Sequence, residues 1–150
     1  MKKLFFLGLS LMIVNCLVAQ VKDPVKWVFT AKKTSAGKYE VHLTAAIGSG
    51  WHLYSQTTPG GGPVATTISF MKNPLLTLAG DAKEIGKLEQ HFEELFGVDV
   101  KQFSNQVDFV QLVELKATAK TSLNGSIRYM TCNDRECLPP RIQKFTIAIR

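Results

Sequence analysis

The chain has 150 residues, with 18 Lys and Arg against 12 Asp and Glu, and 45% of its residues are hydrophobic. That length suits one domain with its own core, and no repeat or linker marks a second. The basic residues are dispersed rather than striped with aromatics, which excludes a nucleic-acid footprint, and a domain of this size does not need a disulfide merely to fold.

Met1-Lys2-Lys3 is a short basic region, residues 4–18 form a mostly apolar run, and Leu17-Val18-Ala19 precedes Gln20 as a small-residue cleavage site. The pattern predicts a secretory signal peptide over residues 1–19 and a mature domain over 20–150. A membrane anchor is disfavoured, because a span needs roughly 20 apolar residues and Ser10 and Asn15 interrupt this run. A lipid on Cys16 is also disfavoured, since Asn15 is a poor small-residue neighbour. Cleavage leaves 16 basic and 12 acidic side chains, a net charge of +4, and two cysteines, Cys132 and Cys137. In an oxidising compartment such a pair normally forms a disulfide.

From Gln20 onward a period of two dominates. Val25, Trp27 and Phe29 share one face, Thr34-Ser35-Ala36-Gly37 reads as a turn, and Tyr39, Val41 and Leu43 alternate with polar partners. This predicts a first hairpin. Trp51-His52-Leu53-Tyr54 is followed by Thr58-Pro59-Gly60-Gly61-Gly62-Pro63, a flexible loop rather than a phosphate cradle, since no Lys-Ser/Thr follows the glycines. Residues 66–71 and 75–78 are short strand candidates. Residues 81–96 conflict: Ile85, Leu88, Phe92 and Leu95 fall at helical spacing despite Gly86. Beyond Val98 the strand pattern resumes, with a loop expected at Ser104-Asn105. Residues 107–115 are apolar on both faces, as in a central strand. Asn124-Gly125 reads as a turn, and residues 126–131 and 141–149 read as strands flanking the cysteines. Seven or more short strands separated by turns predict an all-β fold, an antiparallel β-sandwich.

Four residues separate Cys132 from Cys137, which is hairpin spacing, so their Cα atoms should lie roughly 4.5–5.5 Å apart across a ladder, within disulfide reach. A bridge closing so short a loop contributes only about 2 kcal/mol in the chain-entropy model. Stability is therefore a weak reason for it, and two readings stand open: an exchangeable redox pair, or an inert staple in a non-catalytic immunoglobulin-like binding module. Pro139 and Pro140 remove two backbone N–H groups and suit an exposed edge. His42, His52 and His91 lack ligand spacing, so no metal and no other cofactor is expected. Glu93-Glu94 does not suit a hydrolytic pair, because adjacent residues rarely face one another across a substrate.

Tyr129-x-x-Cys132-x4-Cys137-x-Pro139-Pro140, together with Gly50-Trp51-His52-Leu53-Tyr54-Ser55-Gln56 and Glu93-Glu94-Leu95-Phe96-Gly97, resembles the amino-terminal periplasmic domain of the thiol:disulfide interchange protein DsbD. The resemblance implies an immunoglobulin-like sandwich in the periplasm. It further implies a monomer that relays electrons between a DsbD-like membrane donor and thioredoxin-fold partners, including those of cytochrome c maturation. It assigns the intermolecular bond to Cys137 and its resolution to Cys132. Glu93, Glu94, Leu95 and Phe96 become a cap loop over the sulfurs, with Tyr54, Tyr129 and Pro139 framing the site. It also favours a strand near 83–90 and a loop over 91–97 in place of the helix. Two departures are visible: the loop holds four residues rather than the five of the best-known member, and no membrane module follows Arg150, so the domain is expected to stand alone with a separate donor.

Overall fold

The computed structural model describes Lys22–Arg150; the expected signal peptide and Cys16 lie outside these residues. Among the described residues nine strands and no helix are formed: β1 (Val25–Ser35), β2 (Lys38–Ile47), β3 (His52–Tyr54), β4 (Thr67–Phe70), β5 (Leu76–Glu93), β6 (Val98–Leu115), β7 (Thr121–Tyr129), β8 (Thr131–Cys132) and β9 (Arg141–Ile149). They make an immunoglobulin-like antiparallel sandwich of a six-stranded and a three-stranded sheet, the smaller ordered β4-β7-β9.

The β1–β2 hairpin forms as its alternation predicts, with Val25 opposite Ile47 and Phe29 opposite Leu43. Strand β6 is central: β2 and β3 pair along one edge and β5 along the other; Val107, Phe109 and Val113 on its inner face are buried, whereas Leu112 on the other face is exposed. Between the sheets lie Leu43, Val107 and Phe109 from one side and Leu123, Ile127, Phe145 and Ile147 from the other. Along β2 and β9 every second residue is inward, as a two-layer sandwich requires.

Three expectations are corrected. The helix alternative for 81–96 fails, and the strand there is longer than the 83–90 segment: β5 runs unbroken from Leu76, absorbing the 75–78 candidate, and ends at Glu93. The residues that set the helical period face water; Ile85, Leu88 and Phe92 are 59%, 47% and 59% exposed. Ser104-Asn105 is a bend inside β6 rather than a loop. Asn105 adopts a left-handed conformation there, and the β5 register shifts opposite it between Gly86 and Leu88. Finally, Asn124-Gly125 lies within β7. A Cβ on Gly125 would come within 2.4 Å of both Phe145 Cζ and Ser69 O, so glycine is there for close packing rather than for a turn.

Candidate functional site

Strand β7 pairs with β9 as far as Tyr129 opposite Arg141. One residue later the chain changes sheets: Thr131 and Cys132 pair with Leu53 and His52 of β3 in the larger sheet. The cysteines therefore do not sit at the tip of the β7–β9 hairpin. They occupy a small hairpin of their own, inserted between those two strands. Alternation reveals that a segment is extended but not which neighbour it joins, so this switch left no mark in the sequence.

Cys132 and Cys137 face each other as an isolated antiparallel bridge pair. They form a disulfide with Cα atoms 4.0 Å apart, slightly closer than the spacing predicts. Asn133 closes the loop: its Oδ1 accepts from the N–H groups of Arg135 (2.9 Å) and Glu136 (2.8 Å), and its own N–H donates to Glu136 O at 2.9 Å. An asparagine at the first loop position is a turn signal. Cys132 is 3% exposed, whereas Cys137 is half-buried, so the two sulfurs differ in access.

Cys132 belongs to a second, smaller apolar cluster with Tyr54 and Val100, against which Phe96, Val98, Met130 and Cys137 pack. Phe96 comes from the β5–β6 turn, which is shaped by N–H groups of Phe96 (3.2 Å) and Gly97 (2.8 Å) donating to Glu93 O and by the left-handed backbone of Gly97. Leu95, its neighbour, is 65% exposed. The glycine loop backs this turn. A Cβ on Gly62 would lie 2.6 Å from Val98 Cγ2 and 3.6 Å from Phe96 Cβ, and Thr58 Oγ1 donates to Lys101 O at 2.9 Å. The loop expected to be flexible is thus anchored at Thr58 and packed at Gly62.

On the Cys132 side of the bridge opens a cavity of about 810 Å3, lined by His52, His91, Glu93, Glu94, Gln102, Cys132 and Asp134 among others but not by Cys137. Three carboxylates and no Lys or Arg line it. Tyr54 is fully buried below, its hydroxyl without a hydrogen-bond partner among the described residues. Burial, with Glu93 as a lesser cause, pushes its pKa up to about 12; the phenol stays neutral and serves as apolar wall. Tyr129 lies elsewhere, in the main core edge-on to Trp27 at 5.3 Å, with its hydroxyl 3.4 Å from both Asp23 oxygens. Pro139 is exposed on the chain leaving the hairpin.

The structure thus gathers Cys132, Cys137, Tyr54 and Phe96 in one cluster, with Glu93, Glu94 and Leu95 on the cavity beside it. Tyr129 and Pro139 stand outside. His52, Gln102 and Asn133 are additions. Parity held the clue to the first, because residues two apart on a strand share a face and Tyr54 was already assigned to the site.

Over residues 20–149 the sequence matches the family described as thiol:disulfide interchange protein DsbD, N-terminal. The chain belongs to this family. Among solved structures it is similar to the N-terminal periplasmic domain of ScsB from Proteus mirabilis, at 18% identity and a TM-score of 0.55 over 85% of this chain; it spans only 47% of that one. It is also similar to the reduced N-terminal domain of DsbD from Neisseria meningitidis, at 19% identity and a TM-score of 0.52, over 81% of this chain and 84% of that one. At these identities the structural likeness speaks for the fold. No curated protein sequence matches significantly. Among the described residues no helix is long and apolar enough to cross a membrane.

Proposed function

We propose that this DsbD N-terminal family member is a periplasmic thiol–disulfide exchange domain, exported by residues 1–19 and acting as a monomer through Cys132 and Cys137. The observation that carries this reading is the unequal access of two bridged sulfurs beside an open cavity, in a chain of this family. A donor dithiol, supplied by a DsbD-like membrane protein or a thioredoxin-like domain, reduces the bridge. The resulting dithiol then passes its electron pair to a thioredoxin-fold partner.

In that second half, the Cys137 thiolate attacks the partner disulfide. A Cys137–partner bond forms and one partner sulfur leaves as a thiolate. Cys132 next attacks Cys137 Sγ, restoring the internal bridge and releasing the second partner thiolate. Two electrons move to the partner, and the two protons of the original dithiol balance its two new thiols. Phe96, with Leu95 beside it, shields the sulfurs until a partner displaces the turn, and Glu93 and Glu94 serve proton movement at the rim. Tyr54 walls the site. Tyr129 and Pro139 hold the entry and exit of the cysteine segment.

Trapping tests this. Cys132→Ser should accumulate a mixed disulfide through Cys137 with a thioredoxin-fold partner, and Cys137→Ser should not; equal trapping by both variants, or by neither, overturns the assignment. A redox titration separates the rival role, since a structural staple would titrate below about −300 mV.

A further inference from the structure

One side chain at the bridge has a hydrogen-bond chain behind it that packing does not require. His52 lies directly opposite Cys132 in the β3–β8 ladder and directly opposite Ser104 in the β3–β6 ladder. Opposed residues share a face with Cβ atoms about 4.5–5.5 Å apart, so imidazole, thiol and hydroxyl stand in one row. Ser104 Oγ donates to Glu89 Oε2 at 2.8 Å. Its single proton is thereby committed, and the 3.0 Å contact between Ser104 Oγ and His52 Nδ1 must run from an Nδ1–H to the hydroxyl oxygen. The tautomer follows: Nε2 carries the lone pair. Its nearest charged neighbour, Asp134 Oδ1, is 3.9 Å away, beyond hydrogen-bond reach. A neutral imidazole has one donor and one acceptor nitrogen. Here one is oriented from behind and the other is left open on the cavity that Cys132 also lines.

We infer that His52 is the general base for the resolving cysteine, with Ser104 and Glu89 as its positioning residues. This rests on the exchange reading above. When Cys132 attacks the Cys137–partner bond, its S–H proton passes to His52 Nε2, the Cys132–Cys137 bond forms, and the partner sulfur leaves with the electron pair of the broken bond. The imidazolium then gives its proton to that thiolate, which restores the starting state. Cys132 needs such help more than Cys137 because it is the buried member of the pair, and burial in apolar surroundings disfavours a thiolate. The charged or titratable groups around His52 are Asp134 on the cysteine loop, Glu89 behind Ser104, and His91, Glu93 and Glu94 across the cavity. The carboxylates stabilise the transient imidazolium, and no Lys or Arg lines the cavity to oppose it.

The test uses the reduced protein and an aromatic disulfide, 5,5′-dithiobis(2-nitrobenzoate), followed by stopped-flow absorbance. The first thiolate released reports attack by Cys137 and the second reports resolution by Cys132. An ordinary thiol is only about 3% ionised at pH 7 and a buried one less, so a base has at least about a thirtyfold acceleration of resolution open to it. His52→Gln should therefore slow the second release roughly tenfold at pH 7 and leave the first unchanged. It should also remove the levelling-off of the second rate above about pH 7, where an imidazole base is fully deprotonated, and leave a rate that climbs in proportion to the thiolate through pH 8. Ser104→Ala should slow the second release several-fold while keeping that levelling-off. Matching second-phase rates and pH profiles in wild type and His52→Gln overturn the inference alone; a wild-type bridge that exchanges with no thiol or disulfide overturns the functional reading as well. Should His52→Gln not fold, an unchanged second phase in Ser104→Ala overturns the role assigned here.

Discussion

The large cluster between the sheets and the small one under the cysteine bridge are made of similar side chains, but they are closed in different ways. Phe109, Leu43 and Ile127 are covered on both sides by strands that pair along most of their length. Tyr54, Val100 and Cys132 are covered on one side by a sheet and on the other by a single turn bearing Phe96. A lid of one aromatic ring can be displaced without unfolding the domain, because few backbone hydrogen bonds depend on it. On the function proposed above, the sandwich core supplies stability and the smaller cluster supplies controlled access.

Removing a ring from each cluster should pull these two roles apart. Phe109→Ala empties a fully buried site and should cost about 3–5 kcal/mol of unfolding free energy, read from the midpoint of urea denaturation. The half-buried Phe96→Ala should cost less than about 1.5 kcal/mol in the same assay yet speed reduction of the bridge by a small thiol about tenfold. If Phe96→Ala destabilises as strongly as Phe109→Ala, or leaves reduction unchanged, the two clusters do not divide the labour in this way.

The smallest effect concerns pH. The Tyr54 proton is held more tightly in the folded state, with a pKa of about 12 against about 10 in the unfolded chain. Its contribution is intact below pH 10 and declines as pH rises from about 10 to about 12. Tyr54→Phe should remove that component of the alkaline decline. At pH 7 it should change stability by less than about 1 kcal/mol, because the lost hydroxyl has no partner among the described residues. Unfolding curves at pH 7, 10 and 11 check both statements.

What could be read in advance follows the same division. The core was legible because alternation in β1, β2, β6 and β9 reports burial directly, and Phe145, Ile147 and Ile149 are indeed all buried. Along β5 the apolar residues face solvent on an edge strand, so their spacing reported no buried face and imitated a helix. Gly125 gave a false turn because its small size answers Phe145 and Ser69 across the sheet, which local sequence does not encode. At the site, the cysteine pair was legible from its spacing, whereas the Phe96 turn was found through motif resemblance. His52 was considered only as a metal ligand, since its partners Ser104 and Cys132 come from strands far apart in the chain.

The Asn133 turn bears on the cost of moving electrons through the bridge. Its loop is held by Asn133 N–H to Glu136 O, by two bonds to the Asn133 side chain, and by Leu138 N–H donating to Thr131 O at 2.9 Å. None of these involves sulfur. They are not lost with the Cys132–Cys137 bond, so the frame that sets the distance between the two thiols would outlast reduction. On the exchange proposed above, the domain would hand on an electron pair with little conformational record of having carried it.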